Sequence, residues 1–325
     1  MPNIITHALL AQDAIESIEC PTLSALIAKY PRVYALGSSG PDFLFYYKIL
    51  PWEKPDPTVR VKEIGNKIHS SQVNDFYQNA IEVIQATVDE TQRSIMTVFL
   101  AGHLTHWALD TSAHPYIFAK TGEIGKGATK YWHFRFESML DTLMVTQVKG
   151  FKIENIHMPE FVSSNKETRH VISKFYQQIV LNCFEVNIPL SIYDTCLRSM
   201  ASTAKLLYDP YTLKFPSIQL AEKAAGRLWE FTGHMVIGEV DTKHDILNIA
   251  HKQWSHPCNQ NMVSTESFLD LYLKAKDRAM AALYTLEGIM NATQPKASLN
   301  LITRDLNYDT GLSNPPAMQF YDPIY

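Results

Sequence analysis

The sequence predicts an all-α protein, and three observations carry that expectation. Apolar residues recur at helical spacing through most of the 325-residue chain. No stretch alternates apolar and polar residues as a half-buried strand would, and no internal repeat is present. The breaks between periodic segments are marked by Gly and Pro. With 46% hydrophobic and 19% charged residues, the chain has the composition of a globular protein. Its length suits one large domain or two ordinary ones.

Taken in order, residues 6–19 put Ala8, Leu9, Ala11, Ala14, Ile15 and Ile18 in helical register. Residues 22–30 form a short second helix closed by Pro31. Residues 33–59, VYALGSSGPDFLFYYKILPWEKPDPTV, predict a loop with a short helical or extended core. Residues 60–88 predict one or two helices around Ile64, Ile68, Val73, Phe76, Ile81 and Ile84. Residues 91–110 predict a strongly apolar, central helix. Residues 121–130, TGEIGKGATK, read as a flexible loop, 131–147 as helix and 150–165 as irregular. Further helices are expected near 166–183, 190–207, 217–236, 243–254 and 264–290, the last opened by a cap-like STES. Residues 291–325 are rich in Asn, Pro and Asp, lack a period and predict an extended tail. The expected organisation is a metal-binding core over 1–160, further helices over 161–290 in the same globule, and the tail.

Charge and composition exclude several classes. A net charge of −4 and a pI near 6.3 give no basic field for a stable nucleic-acid partner. The start, MPNIITHALLAQDAI, lacks the basic and apolar regions of a secretory signal and reads as a native start. No apolar run reaches transmembrane length. Cys20, Cys183, Cys196 and Cys258 are scattered without a CxxC, as free thiols in a reducing compartment. The expectation is a soluble, cytoplasmic protein.

The chemistry concentrates in residues 99–141. Three pairs there are four residues apart: His106 and Asp110, Asp110 and His114, His133 and Glu137. On a helix such pairs share one face. Imidazole and carboxylate on one face are ligands for a divalent metal. One such pair is an ordinary surface hydrogen bond, but three interlocked pairs in apolar helices are not explained by core packing. His103 reads as core or as a partner of the ligands, and Asp141 as a group that orients the imidazoles. His234, His244, His251 and His256 read as surface or satisfied core residues.

These residues resemble the zinc-dependent phospholipase C family, which shares its all-helical fold with single-strand-specific zinc nucleases. In the family's order the chain carries His7, Asp42 in GSSGPDF, His69 in NKIHSS, the pair His106 and Asp110, His114, and the pair His133 and Glu137. The gap from Asp110 to His114 is expected to be shorter than in secreted phospholipases. HKQWSHP, residues 251–257, resembles a segment of bacterial members but suggests no chemical role.

The resemblance implies two or three Zn2+ per chain. Asp42, His69, His106 and Asp110 would hold one. His114, His133 and Glu137 would hold a second with open positions for water. Asp110 as a bridge, His7 and the N-terminus would hold a third, with Pro2 as the first residue once Met1 is removed. The catalytic candidates are Asp42, Asp110 and Glu137. The implied activity is zinc-dependent hydrolysis of a phosphodiester, a phospholipid among the candidates, by hydroxide held on the metals. Two alternatives remain: a single-strand nuclease or nucleotidase with the same metals, and a non-catalytic metal-stabilised scaffold. The run FLFYYKILPW, residues 43–52, reads either as core or as an apolar rim for an acyl chain or a base. Residues 121–130 could close over a phosphate.

Overall fold

The computed structural model describes residues 4–49, 53–56, 58–125, 131–240 and 242–324. Helix takes 63% and strand 4%, so the fold is all-α. The helices in order are α1 (Ile4–Glu16), α2 (Pro21–Lys29), α3 (Pro31–Gly37), α4 (Val61–Ser70), α5 (Val73–Ala86), α6 (Glu90–Thr121), α7 (Trp132–Met144), α8 (Met158–Phe161), α9 (Lys166–Phe184), α10 (Leu190–Leu207), α11 (Phe215–Ala224), α12 (Phe268–Met290) and α13 (Ser298–Thr303).

The apolar helix α6 is the axis. It starts at Asp89, whose carboxylate accepts the Gln92 N–H at 2.8 Å. From Ile95 onward nearly every residue is buried, as expected for a helix apolar on all sides. Helices α1, α3, α7, α9 and α12 pack around it. Its length corrects the sequence expectation, because the helix continues past Asp110 and through Pro115 to Thr121. A proline inside a helix costs about 3 kcal/mol. Beyond it Tyr116, Ile117 and Phe118 are buried, at roughly 1.5–3 kcal/mol each, which offsets that cost.

Elsewhere the helical period over-reads. Of residues 217–236, the helix ends at Ala224, and the turn after it folds back on Glu222. The Glu222 carboxylate accepts the N–H groups of Trp229, Phe231 and Thr232. The helix expected over 243–254 is a series of turns. There Asp245 accepts the N–H groups of Ile249 and Ala250, and Asn248 bonds the Lys252 and Glu266 carbonyls. Side chains thus satisfy the backbone groups that a helix would have used. The short strands escape a periodicity argument: β1 (Tyr208–Asp209) pairs parallel with β2 (Val236–Ile237), and β3 (Trp254–His256) antiparallel with β4 (Asn259–Ser264). Ser264 of STES lies in β4, and Ser267 forms a capping box with Asp270 at the start of α12.

Residues 33–59 begin inside α3, and Gly40–Tyr46 is a 3-10 helix. The C-terminal stretch is tied down rather than free. It contains α13, and its end runs along the last turn of α6. There Asp322 and Ile324 donate N–H to the Ala119 and Lys120 carbonyls, and Lys120 Nζ meets Asp322 at 2.8 Å. Among the described residues, one large apolar core extends from Ile4 to Tyr308, and a small second cluster is formed by Phe215, Met235 and Ile237. The four cysteines are free thiols. No helix among the described residues is long and apolar enough to cross a membrane.

Candidate metal centre

Five elements deliver the eight sequence-derived residues to one place. Helix α6 presents His106, Asp110 and His114 on one face, one turn apart. Helix α7 presents His133 and Glu137, α4 presents His69, and α1 presents His7. Asp42 lies in the 3-10 turn. Asp110 is the hub: Oδ2 is 2.9 Å from His106 Nε2, and Oδ1 is 3.2 Å from His7 Nε2 and 3.4 Å from His114 Nε2. Asp42 Oδ1 lies 3.1 Å from His69 Nε2 and 3.9 Å from His106 Nε2. Glu137 Oε1 lies 3.3 Å from His133 Nε2 and 3.6 Å from His114 Nε2. Among the described residues, two groups have candidate ligand atoms within 4.8 Å of one another: His7, His106 and Asp110, and Asp42, His69 and His106. All but His106 line a cavity of about 410 Å³.

The orientation of the rings says what these atoms are for. His69 Nδ1 donates to the Gly65 carbonyl at 2.8 Å and His106 Nδ1 to the Ser38 carbonyl at 3.1 Å. His133 Nδ1 is 3.1 Å from Thr121 Oγ1, which spends its own proton on the Ile117 carbonyl and so accepts. With protons on Nδ1, these three rings aim Nε2 lone pairs inward, the arrangement that fixes a metal-binding tautomer. His106 Nε2 is fully buried and has no hydrogen-bond partner, although a carboxylate oxygen lies 2.9 Å away. A buried nitrogen and oxygen that converge without bonding each other fit a shared cation. The donor set, imidazole nitrogen with carboxylate oxygen, suits zinc.

The charges agree. Burial alone would raise the three carboxylates, but His106 and His69 hold Asp42 below its ordinary range, and His106, His114 and His7 hold Asp110 well below it. Glu137 is likewise held well below, with His133 and His114 beside it. Burial lowers His69 and His114, yet Asp42 beside the first and Asp110 beside the second more than offset it, so both stand above the ordinary imidazole value. The metal-free centre therefore carries protons near neutrality that a metal must displace. Zinc binding at pH 7 is expected to release at least one proton per chain and to weaken as pH falls. Calorimetry in buffers of different ionisation enthalpy reads this directly, and a buffer-independent heat would contradict it.

Asp141 acts differently from the sequence expectation. It touches no imidazole. Its carboxylate accepts the Ile5 and Thr6 N–H groups at 3.2 and 2.8 Å and the Thr6 hydroxyl at 2.8 Å. It thus holds the first turn of α1 and sets where His7 stands, while burial pushes its carboxyl up to about 7 against the Thr6 and Ile5 hydrogen bonds. Asp141→Ala strands two backbone donors, each costing about 1–3 kcal/mol. Destabilisation of roughly 3 kcal/mol in urea unfolding is expected, and a change under about 0.5 kcal/mol would show that the anchor is dispensable. The approach of Asp42 rests on Gly40, which has φ +53° and where a Cβ would sit 2.2 Å from the His106 ring.

His103 is a core residue, bonded through Nδ1 to Tyr77 OH at 2.9 Å and stacked on Phe76. Of FLFYYKILPW, Phe43, Leu44 and Tyr46 are core and Phe45 lines the cavity; Leu50, Pro51 and Trp52 lie outside the described residues. Ile124 of the expected lid also lines the cavity, while 126–130 lie outside the described residues, as do Met1 and Pro2 of the expected third site. The sequence reading missed Tyr308 and Asp309. Tyr308 donates its N–H to the His69 carbonyl at 2.8 Å, and Asp309 Oδ1 lies 3.6 Å from His114 Nδ1. Neither sits in a periodic segment, so the only signal was the polar loop itself.

Residues 6–188 match the family model for zinc dependent phospholipase C. No curated protein and no solved structure matches the chain.

Proposed function

Because the chain belongs to the zinc-dependent phospholipase C family, we propose that it hydrolyses a phosphodiester at a two- or three-zinc centre held by His7, Asp42, His69, His106, Asp110, His114, His133 and Glu137. The observation that carries this is the set of inward Nε2 atoms whose Nδ1 partners are tied off behind them. Bound zinc would polarise a phosphoryl oxygen and bring the pKa of a water towards ~7. The chain's own residues do the rest. Asp110 turns one oxygen to His106 and the other to His7 and His114, the arrangement of a bridging ligand. The cavity is lined by Glu137 and His133 and by the apolar side chains of Phe45, Phe118, Ile124 and Phe134. That apolar lining would desolvate a bound ester and strengthen the electrostatics inside.

A lipid ester is the favoured substrate. A second cavity of about 830 Å³ shares Phe45 with the first and is lined by Tyr46, Ile49, Leu207, Ile218 and Phe231. His234 in that cavity stacks on Phe134 of the first at 4.2 Å. Apolar volume next to a cationic centre suits an amphiphile with a phosphate head. Zinc-loaded protein should therefore turn over phosphatidylcholine in mixed micelles faster than bis-p-nitrophenyl phosphate or single-stranded DNA. Preference for DNA would favour a nuclease, and no turnover of any of the three would favour a metal-stabilised scaffold.

A further inference from the structure

We propose that Asp309 is a positioning residue of the metal centre: its carboxylate is the partner that receives the Nδ1 proton of His114 and so fixes that ring. The inference rests on the metal-binding reading above. It assigns a role to a residue far outside the 6–188 stretch that matches the family.

His114 turns Nε2 towards Asp110 and Glu137, at 3.4 and 3.6 Å. Its other nitrogen faces away from the hub, is buried and makes no hydrogen bond within ordinary limits. Asp309 Oδ1 stands 3.6 Å from it, a few tenths of an ångström beyond a good N–H to O contact. In His69, His106 and His133 the corresponding nitrogen is already tied to a carbonyl or hydroxyl. His114 is the ring for which a carboxylate is set in that place. A carboxylate behind a ligating imidazole fixes its tautomer and raises its basicity.

The loop that carries Asp309 is built from several sides. The Asn307 side-chain oxygen accepts the N–H of Asp309 at 2.8 Å and of Thr310 at 3.0 Å. Tyr308 joins its hydroxyl to Tyr77 at 3.0 Å and its N–H to the His69 carbonyl at 2.8 Å. His256 Nε2 holds the Thr310 carbonyl at 2.9 Å, which gives the HKQWSHP stretch a structural task. Gly311 has φ +62°, and a Cβ there would lie 2.2 Å from the Thr111 oxygen. Thr111 is the residue whose helical partner would be Pro115, which has no N–H to give. The loop thus docks where the proline interrupts α6. Among the described residues, the Asp309 carboxylate makes no hydrogen bond within this loop and lines the cavity instead. Backbone and neighbours shape the loop, and the acid is left to face His114.

The test is zinc affinity of the full chain, measured by competition with a chromogenic chelator. Wild type, Asp309→Ala and Asp309→Asn are compared. Asp309→Ala is expected to weaken the most loosely held zinc by about 10–100-fold, to alter the absorption of the cobalt-substituted protein, and to leave metal-free unfolding unchanged. Asp309→Asn keeps an acceptor without the charge, so a smaller loss is expected, and it reports on the role even if the alanine variant disturbs the loop. Wild-type affinity and cobalt spectrum in both variants would overturn the assignment while leaving the metal centre intact. A wild-type chain that takes up no zinc would overturn the metal reading itself.

Discussion

Asp110→Asn is expected to lose more than one of the zinc ions that wild type binds and to lose activity by at least about 10³-fold. One carboxylate oxygen faces His106 and the other faces both His7 and His114, so the two oxygens serve different groups of imidazoles. An amide replaces one oxygen with an NH2 that cannot ligate, and it removes a buried negative charge from the middle of the cluster. Lewis-acid stabilisation at such a centre is worth several kcal/mol, and about 4 kcal/mol corresponds to three decades of rate. Glu137→Gln is the matched control. Glu137 faces His133 and His114 through a single oxygen, so its loss is expected to cost one metal at most. Elemental analysis and turnover on the same preparations read both quantities. Equal metal loss in the two variants would count against a bridging Asp110.

Chelation is expected to lower the melting temperature by roughly 10 °C. Each ion that binds only the native state at about a thousandfold excess over its Kd adds about 4 kcal/mol. Two ions therefore contribute about 8 kcal/mol. A chain of 325 residues has an unfolding entropy near 0.7 kcal/mol/K at the usual ~2.1 cal/mol/K per residue. The ratio is slightly above 10 °C. Metal removal also leaves Asp110 and Glu137, each about 3% exposed, to be balanced by protonated imidazoles such as His114 in place of zinc. Calorimetric scans with and without EDTA measure the shift, and re-addition of zinc should restore it. A melting temperature indifferent to EDTA in a zinc-replete sample would contradict an ion-stabilised core.

The contrast between what was legible and what was not has a physical basis. The hub of the candidate site was readable because His106, Asp110, His114, His133 and Glu137 come as pairs four apart, and helical geometry turns that spacing into a shared face. The lone members were harder: nothing in the spacing places His7, Asp42 and His69 beside them, and the family resemblance supplied those. Tyr308 and Asp309 were hidden because a loop has no period to read. The ends of α6 and α11 and the absent helix near 243–254 failed for a related reason. Proline, glycine and the side-chain acceptors Asp245, Asn248 and Glu222 decide those segments through tertiary partners. Asp141 was recognised as important but for the wrong contact, since a residue one turn after Glu137 can as easily cap a neighbouring helix as orient a ring.

The most direct test of the central claim is a crystal of the full chain measured on both sides of the zinc absorption edge. Two or three anomalous peaks are expected inside the cavity, roughly 3.5–4 Å apart where a ligand is shared. One should lie among Asp42, His69 and His106 and another within reach of Asp110, His114 and Glu137. A zinc-soaked crystal with no anomalous peak among these residues would contradict the account.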